Sequence, residues 1–303
     1  MPRADQAHDH NAPGPWYVDT RCIRCDVARH WAPGLIEMDE AGRSFVDRQP
    51  VGEEQEAELW RAAGACPTKS IGNRQHPREP EGVFPYRMTD GVLALGNNAL
   101  SSFGGHSYLA LRPEGNLMID SPRFSRPLAA GIDRLGGVAH VLLSHRDDVA
   151  DADRWAERYG ARVWIGEDDS DAAPYAIDLL SGSSVTRISP GVNAIPSPGH
   201  TEGHVLYHLD DRCLFTGDTL LWNHRRGEFD VTPVQTFYSW AALADVMDRI
   251  ATLSVEWVFP GHGMWRHTDS EEWKGQMSAL GPAMRRVGRN AWAQRPDTPF
   301  EWY

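Results

Sequence analysis

Four apolar stretches of this chain each end in a turn that carries histidine or aspartate, and this repeated design constrains the fold more than any other feature. The turns are Ser144–Asp148, Pro198–His204, Thr216–Asp218 and Pro260–His262. Metal ligands must meet in space although they come from distant parts of a sequence, and backbone-fixed turns at strand ends bring them together. The pattern therefore predicts a metal site built at strand ends.

The side chains in these turns suit a divalent metal. Neutral imidazoles and carboxylates together bind divalent first-row metals, and glycine beside His200, Asp218 and His262 lets backbone segments approach closely. An aspartate directly after the apolar pair Leu214-Phe215 would be costly to bury unless it were paired or metal-bound. The remaining histidines are expected to be structural or on the surface, among them His106, His140, His208, His224 and His267.

Length and composition narrow the class of protein. A chain of 303 residues favours two domains, or one large domain with an appendage. Its net charge of −12 argues against nucleic-acid or anionic membrane surfaces as partners, and the sequence has no apolar run long enough to span a bilayer. Four unevenly spaced cysteines do not indicate a disulfide scaffold. A cytoplasmic protein that acts on a small molecule is expected.

The chain divides into four segments by pattern. Residues 1–15 are polar and predicted to be disordered, residues 16–72 form a unit with three of the four cysteines, and residues 73–90 are a polar, proline-rich linker. Residues 91–303 begin with strands and continue with alternating helices and strands, which predicts sheets covered by helices.

The motif set His145, Gly199–His204, Phe215–Asp218 and Pro260–His262 resembles the metallo-β-lactamase superfamily, over residues 90–265. The resemblance implies an α/β fold, the αββα sandwich, with a dinuclear metal site at the strand ends. His145 and His200 would bind the first metal, Asp218 would bridge both, and His262 would bind the second.

The first motif departs from that family, in which His-x-His-x-Asp-His is usual. Asp147 stands in place of the second histidine, and the next two ligand positions hold Val149 and Ala150, which have no donor atoms. Asp147 is predicted as a metal ligand. Asp148 is predicted as the proton-accepting catalytic residue or a replacement ligand. Asp151 is either a ligand or, more in keeping with its place before a helix, an N-cap. Carboxylate-rich ligation shifts the expected metal from zinc toward iron or manganese.

The N-terminal unit, with Cys22 and Cys25 and a distant Cys66-Pro67, resembles a small single-cluster bacterial ferredoxin, an α+β fold with a cysteine-bound iron–sulfur cluster. Ala28 stands where that family has its third cysteine. Three interpretations stay open: a fold that has lost its cluster and serves as a docking or lid domain, a labile cluster with an outside fourth ligand, or a zinc site that adds His30. Cys213 is expected to be a buried, inert thiol.

Three functions follow from these features. The first is a hydrolase whose two divalent metals activate water against an ester, thioester or lactone. The second is a diiron oxidoreductase fed by the ferredoxin-like domain, because the oxygen-reducing diiron branch of the superfamily is similar in the first motif. The third is an inactive binding module. Beside the site, Arg225 or Arg226 would bind an anionic group and Phe237, Tyr238 and Trp240 would form an apolar wall, unless the arginines are solvated and the aromatics are core.

Overall fold

The computed structural model describes residues 1–297 of the chain, and these form two compact units, residues 1–139 and residues 140–297. The sequence predicts the division at a linker over residues 73–90, whereas the cysteine-bearing segment and the strands that follow it belong to the same compact unit. The last six residues of the predicted 91–303 domain lie outside the described residues. Within residues 1–297, no helix combines the length and the apolar character needed to cross a membrane.

The first half of unit 1 is a small α+β arrangement. Two short antiparallel pairs frame it, one between β1 and β4 and one between β2 and β3. The elements are β1 (Trp16–Val18), α1 (Val27–Trp31), β2 (Ile36–Met38), β3 (Ser44–Val46), α2 (Gly52–Ala65) and β4 (Ile71–Asn73). The buried side of α2 consists of small residues, with Leu59 the largest, so the helix lies close to its neighbours.

The N-terminal segment is ordered, which corrects the expectation of disorder over residues 1–15. A 3-10 turn covers Ala4–Gln6, and the His8 N–H donates to the Val18 carbonyl. The Asn11 side chain bonds the backbone of Val18 and Val46. The segment is polar in sequence, but its polar groups form hydrogen bonds with the backbone of neighbouring strands, and these bonds hold it in place.

The second half of unit 1 is a meander of four antiparallel strands followed by a helix. Each strand pairs with the next in sequence. The elements are β5 (Tyr86–Thr89), β6 (Val92–Ala94), β7 (Tyr108–Ala110), β8 (Leu117–Ile119) and α3 (Arg126–Asp133). The Ser125 hydroxyl accepts the Leu128 N–H and so caps the N-terminus of α3.

Unit 2 begins with a βαβ segment and continues with a mixed sheet. Strands β9, β10 and β11 pair in parallel, whereas the later strands pair in the order β12-β13-β14-β15-β18-β19, with β16 and β17 forming a separate hairpin. The strands are β9 (His140–Leu142), β10 (Arg162–Gly166), β11 (Asp178–Leu180), β12 (Thr186–Ser189), β13 (Val192–Pro196), β14 (Val205–Leu209), β15 (Cys213–Gly217), β16 (Leu221–Asn223), β17 (Glu228–Asp230), β18 (Trp257–Pro260) and β19 (Arg266–His267).

Three helices pack with this mixed sheet in one buried core: α5 (Trp240–Ile250), α6 (Ser270–Val287) and α7 (Arg289–Trp292). The remaining helix, α4 (Ala152–Tyr159), contacts β9 and β10 instead. Leu243, Met247 and Ile250 recur at helical spacing on α5 and pack with Trp273 and Met284 of α6 in one buried cluster. This apolar core fixes the sheet whose strand ends carry the predicted site.

Strand direction brings three of the four motif turns to one edge. β15 and β18 run parallel, so Asp218 and His262 follow neighbouring carboxyl ends. β14 runs antiparallel to β15, so its amino end, which the Gly199–His204 turn precedes, lies at the same edge. The Val205 N–H donates to the Ser144 carbonyl at 2.7 Å, which ties the turn after β9 to this edge as well.

Candidate metal centre

Four of the five predicted ligands, His145, His200, Asp218 and His262, converge in unit 2. The His262 Nδ1 lies 2.8 Å from the Asp218 Oδ1, and the Nε2 atoms of His145 and His200 each lie 3.8 Å from the Asp218 Oδ2. All four side chains are buried or nearly so. The imidazoles and the carboxylate that the sequence singles out are therefore neighbours in space.

The imidazoles of His145 and His200 each have a hydrogen-bond partner at Nδ1, the nitrogen opposite the one that faces Asp218. The His200 Nδ1–H donates to the Gln235 carbonyl, and the His145 Nδ1 is 2.9 Å from the Ser144 hydroxyl. A hydrogen bond at Nδ1 orients the ring and leaves Nε2 for a ligand. The Nε2 of His145 is buried and has no hydrogen-bond partner within residues 1–297, as expected for a nitrogen that faces a cation.

Asp147 and Asp148 lie on a 3-10 turn, Arg146–Asp148, that begins directly after His145. The Asp147 side chain is half exposed, and its Oδ2 is 3.2 Å from the His200 Nε2. Asp148 is buried. Two sets of ligand atoms lie within 4.8 Å of one another, His145 with Asp147 and His200, and His145 with Asp148 and Asp218. Both aspartates therefore reach the centre, although Asp148 is buried and Asp147 is half exposed.

The electrostatics of the centre favour a cation. Burial and the neighbouring His200 lower the pKa of His145 to about 3, so this imidazole is neutral at neutral pH. Burial opposes ionisation of Asp218, but His262 outweighs it and holds the pKa of that carboxyl well below its usual range. For His200, burial is outweighed by the hydrogen bond to Asp147 and by the Asp218 charge, which raise its pKa. Neutral imidazoles and ionised carboxylates are the forms that bind metal, so His145 and Asp218 are ready for a cation, whereas a cation at His200 must displace the proton that the raised pKa favours.

Two further residues support the ligands, and the sequence reasoning gave neither a role. The His204 ring stacks on His145 with centroids 4.9 Å apart, and its Nε2 accepts the Asp218 N–H at 3.2 Å. The buried Asp169 accepts the Arg146 N–H and the Thr201 hydroxyl. His204 falls inside the motif and could have been found there. Asp169 lies in an ordinary acidic run with no such signal.

Asp151 and the histidines expected to be structural have other contacts. Asp151 occupies the N-cap position of α4 and makes no side-chain cap bond. It contacts Arg154 at 3.4 Å and belongs to neither ligand group of the described residues. The histidines expected to be structural include His140, which accepts the Trp164 indole N–H, and His208, which bonds the Ser254 carbonyl.

The residues expected beside the pocket separate into two kinds. Arg225 and Arg226 are paired with Asp297 and Glu228, which favours the alternative that they are loop side chains, because their charges are already compensated. Trp240 is core: its indole N–H donates to the Met284 carbonyl. Phe237 and Tyr238 are exposed, as an apolar wall requires.

The three cysteines of unit 1 line one small cavity together with Ala28. Cys22, Cys25 and Cys66 are free thiols, and the cavity of about 20 Å³ has room for about one water molecule. Backbone N–H groups of Ser44 and Ser70 point at the sulfurs of Cys22 and Cys66. Three thiols and an alanine do not fit a cluster held by four thiolates.

The structure places His30, the fourth ligand of the zinc alternative, among contacts that do not include the cysteines. The His30 Nδ1 is 3.2 Å from His106 and its Nε2 is 3.4 Å from the Asp26 carboxylate. Across residues 1–297, no group of potential ligand atoms joins His30 to the cysteines at metal-binding distance. Both nitrogens of His30 are therefore committed to a buried polar network.

Comparison with known proteins identifies the family. Residues 98–275 match the family model described as the metallo-beta-lactamase superfamily. The chain belongs to the metallo-beta-lactamase superfamily. Residues 18–73 match the model of the 4Fe-4S single cluster domain of Ferredoxin I, so the N-terminal segment is similar to that domain although it lacks one of the cysteines.

Curated relatives of this superfamily member include two hydroxyacylglutathione hydrolases. The one from Rhizobium meliloti (strain 1021) is 36% identical over 108 residues, 34% of this chain and 41% of the relative. The one from Acidiphilium cryptum (strain JF-5) is 31% identical over 140 residues, 45% of this chain and 58% of the relative. The matched segments thus span 41% and 58% of these two relatives.

Solved structures agree on the fold. The crystal structure of VMB-1 at pH 5.5 has a TM-score of 0.50 and 15% sequence identity, covering 66% of this chain and 96% of that chain. At this identity the likeness concerns the fold alone. The α/β metallo-β-lactamase fold class predicted from the sequence is confirmed.

Proposed function

We propose that this protein is a metal-dependent hydrolase of a small-molecule ester, thioester or lactone. The observation that carries the proposal is the convergence of the His145 and His200 Nε2 atoms on Asp218, 3.8 Å from each, with His262 on the other side of the same carboxylate. The names of the relatives, which are thioester hydrolases of hydroxyacylglutathione, favour the thioester within this class.

The ligand roles follow from the distances. We assign a first metal position to His145, Asp147 and His200, and a second to Asp218 and His262, with Asp218 shared. A divalent ion supplies polarisation of the substrate carbonyl and a lowered pKa for bound water. Because Val149 and Ala150 have no donor atoms, the second position keeps only Asp218 and His262 and is the weaker of the two.

The residues of the chain orient the reactants and move the proton. Asp148 is buried beside Asp218, close enough that a Cβ built on Gly261 would lie 2.9 Å from an oxygen of each. From there Asp148 accepts the proton of the attacking water. The water oxygen joins the acyl carbon, the bond from that carbon to sulfur or oxygen breaks, and the proton leaves with the thiol or alcohol.

The experiment loads the purified protein separately with zinc, manganese and ferrous iron and assays thioesters, esters and lactones. His200→Ala should lose bound metal and activity together. Asp148→Asn should lower kcat by roughly 10²–10⁴-fold. Asp211→Asn is the matched control, because the same change falls on an exposed carboxylate at the opposite end of β15. Absence of turnover with every metal, despite bound ions, would refute the proposal.

A second candidate, an iron oxidoreductase, is favoured by one observation. The group of His145, Asp147 and His200 has the two-histidine, one-carboxylate composition common to non-haem iron enzymes. The ferredoxin-like unit lacks the fourth thiolate, so no electron route is assigned to it. Metal analysis of protein purified without oxygen separates the candidates: iron with visible absorption supports the oxidoreductase, and colourless zinc-loaded protein supports the hydrolase.

We place the protein in the cytoplasm, because its four cysteines are free thiols and thiols stay reduced in that compartment. A net charge of −12 disfavours nucleic acid as a substrate. The charge therefore supports a small-molecule substrate.

A further inference from the structure

The second metal position has fewer protein ligands than a metal site usually has. Its assigned ligands are Asp218 and His262, and Val149 and Ala150 have no donor atoms to add to them. Catalytic metal sites commonly keep three protein ligands and leave the remaining position to water or substrate. Because Asp148 is assigned to proton transfer, the second position needs a donor from another part of the chain.

A small cavity is lined by both assigned ligands of the second position and by six other residues. These six are Leu220, Leu221, Asp230, Val231, Thr232 and Gln235. The space that they enclose is too narrow for a water molecule, whereas a divalent ion with ligands at about 2.0–2.2 Å needs less room. Carboxylates and amide carbonyls are oxygens that divalent cations take, and of the six residues Asp230 and Gln235 carry them on their side chains.

Asp230 is already bonded to other residues. Its Oδ1 accepts the Trp292 indole N–H at 2.9 Å, and its Oδ2 accepts the Asn223 amide N–H at 3.2 Å. Burial also raises the pKa of this carboxyl, which opposes the ionised form that binds metal. Among the six residues, Gln235 is therefore the better donor.

The Gln235 side chain has a buried oxygen without a partner. Its Oε1 accepts no hydrogen bond from any residue between 1 and 297, although buried polar atoms are nearly always bonded. The buried Nε2 of His145, a ligand of the first position, is in the same condition. Each metal position thus has one donor atom that a cation would satisfy.

The backbone holds Gln235 beside the ligand turn. Its carbonyl accepts the His200 Nδ1–H, and its N–H donates to the Thr232 carbonyl at 3.2 Å. The Thr236 hydroxyl donates to the same carbonyl at 2.9 Å. Because these bonds use the backbone of Gln235, its side chain can be replaced without removing the bond that orients His200.

We propose that the Gln235 carboxamide oxygen is the third protein ligand of the second metal position. This inference rests on the two-metal centre of the proposed function, and it gives Gln235 the part for which Val149 and Ala150 have no donor atoms. Carboxylate and carbonyl oxygens suit manganese, which makes Mn²⁺ a suitable probe of this position.

The test characterises bound Mn²⁺, so it does not depend on turnover. The full-length apoprotein is titrated with Mn²⁺ and followed by paramagnetic resonance, in which two neighbouring ions give an exchange-coupled spectrum and a single ion an uncoupled one. We expect two coupled ions per wild-type chain. Gln235→Leu removes the oxygen at similar side-chain volume and should weaken the second ion by at least tenfold, since removing even a supporting group costs roughly 10–100-fold. Gln235→Glu keeps an oxygen donor and should retain both ions and their coupling.

Gln294→Leu is the matched control, because it makes the same change at an exposed glutamine of the same unit. It should keep both ions. Two coupled ions at unchanged affinity in Gln235→Leu would overturn the proposal, as would a single ion in the wild-type protein. Loss of both ions in Gln235→Leu, or of the second ion in Gln235→Glu, would also overturn it, since the side chain would then support the loop and not bind the second ion.

The two proposals fail separately. If the second ion depends on Gln235 but no thioester, ester or lactone is cleaved with any metal, the hydrolase function is refuted and the ligand assignment stands. If a substrate is cleaved and Gln235→Leu keeps both ions at unchanged affinity, the hydrolase function stands and the ligand assignment is refuted.

Discussion

His204 lies behind the metal ligands and supports two of them. Its ring stacks on His145 and its Nε2 accepts the backbone N–H of Asp218. Removing such a supporting group weakens metal binding by roughly 10–100-fold while leaving the ligands in place. We therefore expect His204→Ala to raise the dissociation constant for zinc by this factor, measured by chelator competition, with activity largely restored at saturating zinc.

His208→Ala is the control for that variant. His208 is also buried and hydrogen-bonded and lies in β14, which begins directly after His204, but its partner is the Ser254 carbonyl. It should lower thermal stability without changing zinc affinity. An unchanged dissociation constant for His204→Ala would mean that the stacking and the hydrogen bond do not position the ligands.

Asp19 anchors the N-terminal segment of unit 1. The buried carboxylate accepts the Arg3 N–H at 2.8 Å and the Arg21 guanidinium at 2.6 Å. Burial opposes ionisation of Asp19, but the hydrogen bonds from Arg21 and Arg3 prevail and lower its pKa. Because the folded pKa is below the unfolded value, the contribution to stability is present above about pH 4 and is lost as the pH falls through the folded pKa.

Asp19→Asn should therefore destabilise the protein by roughly 1–3 kcal/mol at pH 7, and the difference from wild type should shrink below about pH 4. Denaturant unfolding followed at pH 7, 5 and 3.5 measures this. Asp47→Asn, an exposed carboxylate in the same unit, controls for charge removal. A difference that stays constant with pH would exclude the ionised carboxylate as its source.

The predicted ligands that the structure brings together sit in recognisable turns. His145, His200, Asp218 and His262 each follow an apolar strand and can be found from sequence. Gln235 cannot, because it holds His200 through its backbone carbonyl, which any residue provides. Asp169 bonds two ligand turns that lie far from it in the sequence, and nothing local marks it.

In unit 2, the end of β10 and the turn Pro198–His204 contact each other at two glycines, Gly166 and Gly203. Gly166 ends β10, and a Cβ built on it would lie 1.8 Å from the Gly203 carbonyl oxygen. Backbone cannot yield as a flexible side chain does, and forcing extra atoms into a packed site costs typically 1–3 kcal/mol. Gly166→Ala should therefore destabilise by roughly 3 kcal/mol and, because Gly203 follows His200 in the same turn, also weaken metal binding.

Gly275→Ala is the opposite control. Gly275 lies in α6 with nothing within 4 Å of its Cβ position, and alanine is favoured over glycine inside a helix by roughly 0.5–1 kcal/mol. It should raise the melting temperature slightly. If Gly166→Ala melts like wild type in differential scanning calorimetry, the close approach of the two turns is not required.

The spacing of apolar residues predicts a single helix such as α5, but it does not predict which elements belong to the same compact unit. Spacings of three and four residues predict α5, which the structure has as Trp240–Ile250. The order of the N-terminal segment, residues 1–15, cannot be predicted from the sequence, because the hydrogen bonds to Val18 and Val46 use their backbone groups and one asparagine, Asn11. The proline-rich stretch over residues 73–90 is typical of a linker, yet the compact unit continues to residue 139.

At the scale of the whole molecule, the two units differ in what they can bind. Unit 2 holds the complete set of imidazoles and carboxylates, whereas unit 1 offers three thiols around a cavity for one water. A ligand that binds only the folded state stabilises it by about 2.7 kcal/mol at one hundred times its dissociation constant. Metal-dependent stability should therefore reside in unit 2.

Chelation of the zinc-loaded protein should lower its melting temperature by about 5–10 °C, since 1 kcal/mol corresponds to ~2–4 °C for a domain of this size. Zinc should restore it. His200→Ala should melt at the chelated temperature with or without zinc, whereas Cys66→Ser should keep the full difference, because its thiol lies in the other unit. The opposite pattern, a difference lost in Cys66→Ser and kept in His200→Ala, would place the stabilising ion among the cysteines and remove the basis for a metal centre at the strand ends.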